Sequence, residues 1–338
     1  MTIKRIAFSI LLTVLTFCSC APRPRDCARA DVYCVGLVTD FGAVDEGINR
    51  EAWLALQDER AQGLIDRIDM IETVDSRDRA DNIRVLAADG YDVIVTTGAG
   101  MADETTAAAR NYPAILFIGV EQPQNQRVSN LTGLVFHEER SGYLAGILAA
   151  AMTQTNHIAA VCEDKFIDPI RRYCEGFKAG AQDADPMVKV AISYRDGSQE
   201  NLFNDPDWGR ATASQLIGAG ADVVFAAGGN TADAALEVAA EQEALVIGTE
   251  TDTYLRMATI RPRLLTSAVN DVRSGVRDLI RLARDGQFPA GEFFGRAGLA
   301  PFHDLERQIP AGIVQGLEES RLKLEIGSIN PKIPYKSP

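Results

Sequence analysis

Val93-Ile94-Val95-Thr96-Thr97, then Gly98-Ala99-Gly100-Met101, a helix-like stretch near 102–111 and a second apolar run at Ile115–Val120 form the unit that decides the fold. An unbroken apolar run of this length suits a strand covered on both faces, and the stretch between two such runs suits a covering helix. The same alternation fills most of the chain. Strand-like runs recur at Cys34–Val38, Ile68–Val74, Ile158–Val161, Val188–Ser193, Val223–Ala227 and Ala244–Ile247. Helix-like stretches lie near 79–89, 138–154, 168–182, 208–219 and 231–242, and Asn49–Gln62 carries Ala52, Trp53 and Leu56 at helical spacing. The pattern predicts an α/β fold built on parallel sheets. Nine or more strand–helix units exceed one open sheet of usual size, so two doubly wound lobes are expected, with a boundary near Leu134–His137. Leu264–Val269 reads as a return strand before a helix at Asp271–Arg284, so the chain crosses between lobes more than once.

In open α/β sheets ligands bind beyond the carboxyl ends of the strands. The turns that matter are therefore Thr39–Asp45, Gly98–Met101, Glu121-Gln122, the segment after Tyr194, Gly228–Thr231 and Thr249–Asp252. Carboxylates, hydroxyls and small residues gather there, groups that satisfy neutral, hydroxyl-rich ligands such as sugars and nucleosides. Asp40, at the end of the first strand, is placed open to the cleft, where its carboxylate can accept strong hydrogen bonds. Asn49 offers donor and acceptor together, as a base edge requires. Both residues also fit helix capping, and Phe203, Met101 and Trp53 also fit ordinary packing. On this reading Asp40→Ala weakens ligand binding while changing stability by no more than about 1 kcal/mol.

A search for reaction chemistry finds no G-x-S-x-G, no G-x-x-x-x-G-K-[ST] and no H-E-x-x-H. Gly228-Gly229 opens a helix without a Lys or Arg in the next turn, which fits a tight turn against a neutral ligand better than an anion cradle. Glu138-Glu139 read as exposed charges at a helix start. His137, His157 and His303 are scattered, so no metal and no cofactor are expected, and the weight falls on binding rather than catalysis.

The formal charge of −13 argues against nucleic acid, which needs clustered Lys and Arg. Lys4 and Arg5 precede an apolar run at Ile6–Phe17, too short for a permanent span and of export-signal length. Its ending, Phe17-Cys18-Ser19-Cys20, resembles a bacterial lipobox, which implies cleavage and lipidation of Cys20 and a tether outside the cytoplasmic membrane. A plain secretory signal and an apolar N-terminus that is simply retained are the alternatives. Cys27, Cys34, Cys162 and Cys174 then remain, an even number suited to an oxidising compartment. Possible clips are Cys162 with Cys174 (strand to helix) and Cys27 with Cys34; free thiols are the other possibility.

Val38-Thr-Asp40-x-Gly42-x-x-Asp45-Glu46-Gly47-Ile48-Asn49, with Trp53, resembles the opening of the basic membrane protein family of substrate-binding lipoproteins. Gly90-Tyr-Asp-Val-Ile94, Asn130-Leu-Thr-Gly133, Glu138-Glu-x-x-x-Tyr143-Leu-Ala-Gly146, Gly176-Phe-x-Ala-Gly180, Phe203-Asn-Asp205-Pro206, Gly220-Ala-Asp-Val223 and Ala226-Ala-Gly-Gly229 extend the likeness from about 34 to 290. The resemblance implies a type I periplasmic-binding-protein fold, two lobes joined by three crossovers, holding a purine nucleoside or similar neutral polar metabolite for an ABC permease. It implies base contacts from Asp40 and Asn49, a stacking ring at Phe203, and a glycine turn at Gly228 and Gly229. Phe41, Ile48, Met101, Glu121, Thr231, Glu250 and Asn270 complete the expected ligand set. The chain departs from the family pattern in a shorter opening loop, Ile48 for phenylalanine, Glu121 and Glu250 for aspartates, and Asn270 for a lysine. These changes alter the ribose end of the pocket.

The expected division is a signal peptide at 1–19, a lipid-anchored linker at 20–32, lobe 1 at 33–135 and 268–290, and lobe 2 at 136–267 and 291–330. A non-enzymatic, monomeric solute-binding lipoprotein is expected. The alternatives are a ligand-sensing lipoprotein acting on a partner and an exported nucleoside or glycoside hydrolase.

Overall fold

The computed structural model describes residues 27–40, 44, 47–196 and 201–335. The signal peptide, Cys20 and Phe41 lie outside them.

The first sheet holds β1 (Cys34–Thr39), β2 (Arg67–Glu72), β3 (Val93–Thr97), β4 (Leu116–Val120), β5 (Leu131–Val135) and β11 (Gly291–Phe294). Their order is β11-β5-β4-β3-β1-β2, and every pairing is parallel. Helices α1 (Gly47–Ala61), α2 (Arg79–Ala88), α3 (Ala102–Asn111) and α9 (Val272–Arg284) cover it. Alternation along β1 explains the two faces. Val35 and Leu37 pack with Ala52, Leu56, Val276 and Leu279 of α1 and α9, whereas Cys34 and Val38 pack with Ile83, Leu86 and Ala109 of α2 and α3. Trp53 stands against the first of these cores, half-buried.

The second sheet repeats the plan. It holds β6 (His157–Cys162), β7 (Lys189–Tyr194), β8 (Val223–Ala227), β9 (Leu245–Glu250), β10 (Leu264–Asn270) and β12 (Ala297–Leu299) in the order β12-β10-β9-β8-β6-β7. Only β12 runs antiparallel to its neighbour. One face carries α4 (Glu138–Met152), α5 (Asp168–Ala184) and α10 (Ala311–Glu325); the other carries α6 (Pro206–Gly218) and α7 (Gly229–Glu241).

The chain passes between the sheets three times: from β5 to α4, from β10 to α9, and from β11 to β12. Two expected limits move as a result. The run at 264–269 is an interior strand of the second sheet, paired with β9 and β12, so the return to the first lobe comes at Asp271 rather than 268. Residues 291–294 add a strand to the first sheet, so the last crossing follows Phe294 rather than 290. An apolar run announces a strand but not which sheet receives it. The crossing segments are stitched together: Gly295 N–H donates to Val135 O (2.8 Å) and Asp271 N–H to Arg296 O (2.9 Å).

Both expected cysteine pairs are bonded. Cys27–Cys34 ties the entry segment to β1, and Cys162–Cys174 ties β6 to α5, with Cα separations of 5.7 and 6.6 Å.

Candidate functional site

The carboxyl ends of both sheets open onto one inter-lobe cleft of about 1020 Å³. Four of the expected residues line it: Glu121 after β4, Phe203 from the loop before α6, Glu250 at the end of β9 and Asn270 at the end of β10. Glu121, Phe203 and Glu250 all sit at positive φ (59°, 60° and 70°), a conformation costly for residues with a β-carbon. Such backbone persists where the surroundings enforce it, and it clusters at binding sites.

The other described residues of that set do not line the cleft. Met101 is fully buried in the core formed with Val38, Ile94 and Phe117, so packing wins over cleft lining. Ile48 packs against the core of the first lobe. Asn49 is buried and its Oδ1 accepts from Thr97 Oγ1 at 2.5 Å. Thr231 is buried too, and its Oγ1 accepts from Asp205 N–H at 2.9 Å, which pins the loop carrying Phe203. Gly229 seats that loop, because a β-carbon there would stand 2.8 Å from Phe203 O. Gly228, at φ 125°, lies against Glu163.

Asp40 is engaged rather than open. Arg79 Nε donates to its Oδ1 at 2.7 Å and a second guanidinium nitrogen stands at 2.5 Å, with both side chains about 15% exposed. The pair is wedged against the Gly98–Gly100 turn, where a β-carbon on Gly98 would lie 3.0 Å from the β-carbon of Asp40. The second lobe repeats the device: Glu163 after β6 pairs with Arg195 after β7, against Gly228. An acid after the first strand, an arginine after the second and a positive-φ glycine after the third thus brace each lobe. This changes the expected outcome at Asp40. Asp40→Ala should cost about 1–3 kcal/mol of stability, because it deletes partly buried charge-assisted bonds. Denaturant titration gives that value, and a variant as stable as the parent would show that the pair contributes nothing.

The deepest group was misread in the sequence. Glu138 and Glu139 are buried, not exposed, because α5 presents Arg172 to them. Arg172 is 2% exposed; it donates to Phe136 O (2.8 Å) and Glu139 Oε2 (3.1 Å), pairs closely with Glu138, and stands 3.0 Å from Asp168. The C-terminal segment closes over it. Tyr335 lays its ring 4.7 Å from the Arg172 guanidinium and donates to Glu292 Oε1 at 2.8 Å, while Pro334 O accepts from Arg171 at 2.6 Å. Arg172, Tyr173 and Tyr335 are lining residues that sequence reasoning missed. The spacing of Asp168 and Arg172 at i and i+4 beside a Glu-Glu helix start was the available signal.

Burial dominates the electrostatics. It pushes the Glu121 carboxyl up to about 7, with repulsion from Glu250 adding and a hydrogen bond from Asn270 opposing. Burial raises Glu138 to about 8 against the pull of Arg172, and raises Glu250 as well. Folded carboxyls above their ordinary value of 4.5 hold protons that the unfolded chain has released. Their stabilising contribution is complete below pH 4.5 and lost as pH climbs through 7 to 8. Each unit of that window is worth about 1.4 kcal/mol per group. The melting temperature should therefore fall from pH 5 to pH 8.5, and Glu121→Gln should flatten the fall; a rise across the window would contradict this assignment.

No group of three or more metal-ligating side chains exists among the described residues, and no described helix is long and apolar enough to cross a membrane. Two α/β lobes around a cleft lined by apolar, carboxyl and amide side chains are a binding architecture, and comparison with known proteins agrees. "ABC transporter nucleoside-binding protein BmpA" of Lactococcus lactis subsp. cremoris is 29% identical over 276 residues, 75% of this chain and 76% of that protein. "Basic membrane protein D" of Borreliella burgdorferi is 25% identical over 80% of this chain and 76% of its own. An ABC transporter solute-binding protein of Aeropyrum pernix K1 superposes with a TM-score of 0.71 at 19% identity, covering 90% of this chain and 94% of that one. Residues 34–296 match the family described as "ABC transporter substrate-binding protein PnrA-like", and the chain belongs to this Bmp family of substrate-binding proteins.

Proposed function

We propose that this protein binds a purine nucleoside, or a polar metabolite of similar size, in the inter-lobe cleft and presents it unmodified to an ABC permease. The observation that carries the reading is the cleft itself: about 1020 Å³, floored by Glu121, Glu250 and Asn270 and flanked by the Phe203 ring. An aromatic ring and a ring of acceptors match a flat base joined to a hydroxylated sugar. The relative whose name records nucleoside binding supports the same class.

The mechanism is hinge closure. Three crossing segments join the lobes, and a ligand touching Glu121 of one lobe and Phe203, Glu250 and Asn270 of the other stabilises the closed form that a permease reads. Lipidation at Cys20, a periplasmic or extracellular location on the membrane face, and a monomeric state belong to this proposal.

Incubating the purified protein with a nucleoside mixture, removing free solute and analysing what is retained tests it. Recovery of one intact nucleoside at near-stoichiometric occupancy is expected. Recovery of free base would establish hydrolysis instead, and retention of nothing would reject the ligand class.

A further inference from the structure

On the floor of the cleft Glu121, Glu250 and Asn270 bring acceptor oxygens together, beside the Tyr173 hydroxyl, which is itself buried without a partner. Glu121 and Glu250 converge on it from opposite lobes, and the two are close enough for Glu250 to act electrostatically on Glu121. Asn270 lies between them and Glu138. Its Nδ2 reaches Glu138 Oε1 at 3.5 Å, and its amide also favours the ionised form of Glu121. That arrangement fixes the amide's orientation, since the reverse would set its oxygen against carboxylate oxygens. The other end of the amide, Oδ1, is then left without a partner although Asn270 is only 5% exposed and lines the cleft. A buried acceptor without a donor is costly and rare in a finished site.

Neither Arg172 nor Arg256, the arginines nearest these carboxyls in charge, answers this group. Arg172 is committed to Glu138, Glu139 and Asp168, and none of its pairs reaches Glu121 or Glu250. Arg256, which acts on Glu250 at longer range, is forked onto Asp233 with one bond of 2.7 Å.

Two repelling carboxyls and an orphaned amide oxygen ask for a partner that only donates and carries positive charge. A hydroxyl donates one hydrogen bond and brings no charge, whereas an ammonium brings three donors and a full charge in one compact group. We infer that the ligand carries an amine, held as an ammonium between Glu121, Glu250 and the Asn270 Oδ1. The inference rests on the nucleoside-type reading of the cleft but replaces its neutral guest with an amino-bearing one. Burial has raised both carboxyls, and an incoming cation restores their ionised form.

Calorimetry with matched pairs tests it: adenosine against 3′-amino-3′-deoxyadenosine and 5′-amino-5′-deoxyadenosine, and glucose against glucosamine. At least one amino compound should bind tenfold or more tightly than its neutral partner. Glu121→Gln and Glu250→Gln should each reduce that preference at least fivefold. Asn270→Lys, which places a resident ammonium there, should reverse it; circular dichroism confirms that each variant folds. Adenosine binding as tightly as both amino analogues overturns the inference and leaves the nucleoside reading standing. Glucosamine binding alone, without glucose or any nucleoside, rejects the nucleoside reading and upholds the inference. A cleft that prefers no amine in either set overturns it.

Discussion

Arg172→Met is expected to lower the unfolding free energy by about 3–5 kcal/mol, the range for removing one partner from a buried ion pair. Three carboxyls converge on this guanidinium, and Glu138 and Glu139 lie in the buried turn that leads out of the first crossing segment. Methionine fills the volume of the arginine stem but leaves those carboxyls facing one another, and it frees Phe136 O, which Arg172 holds at 2.8 Å. Surface pairs behave differently. Arg321 pairs with Glu318 and Glu325 on α10 with all three side chains at least 35% exposed, and Arg321→Met should cost less than about 1 kcal/mol. Urea unfolding measures both. A double-mutant cycle adding Glu138→Gln should recover part of the Arg172→Met loss, because it replaces a buried carboxyl left without its partner by a neutral amide. An Arg172 variant as stable as the Arg321 variant would show that the cluster is held by something other than its guanidinium.

Gly180→Ala is expected to cost about 1–3 kcal/mol, and Gly180→Val more, through overpacking of the α4–α5 contact. A β-carbon on Gly180 would collide with Tyr143 O, and one on Gly146 with Phe177 O. Gly142 faces Tyr173 O and Gly176 faces Glu139 O in the same way. Two glycines four residues apart on each helix thus let the backbones touch, and the obstacle is main chain, which cannot step aside as a side-chain tip can. Arg172 and Tyr173 ride on α5 at the start of this run of contacts, so pushing the helices apart also lifts the cleft floor. Ligand affinity should fall with stability in this variant. Gly316→Ala is the control: nothing lies within 4 Å of a β-carbon there, so helix propensity should leave it neutral or slightly stabilised. Equal melting temperatures for Gly180→Ala and the parent would mean the helices can separate without loss.

These two sites show how the sequence was readable. Unbroken apolar runs such as Val93–Thr97 become buried strands because both faces are covered by helices, and that requirement is written in every residue of the run. The strings Glu138-Glu-x-x-x-Tyr143-Leu-Ala-Gly146 and Gly176-Phe-x-Ala-Gly180, which carried the family resemblance, record helix packing and a buried ion cluster. Glu138 and Glu139 looked exposed because charge usually marks solvent; only the partner 34 residues away on α5 reverses that, and no local pattern encodes it. Asp40 and Asn49 were placed in the cleft by the family resemblance and by the chemistry of carboxylate and amide, while the structure pairs Asp40 with Arg79 and Asn49 with Thr97. Of the side chains that do face the cleft from β4, β9 and β10, Glu121 and Glu250 were legible because they end strands, whereas Asn270 came only through the family resemblance. Tyr335 was not, since a residue far down the chain reaches the cleft only through the tertiary fold.

A crystal structure of the protein with the small molecule it retains is the most direct check on the whole account. Density for an unbroken guest stacked on Phe203, with Glu121 and Glu250 both in contact and the lobes drawn closer, is the predicted result. Guest density outside the inter-lobe gap, or a gap occupied by the protein's own side chains while the guest sits elsewhere, would contradict it.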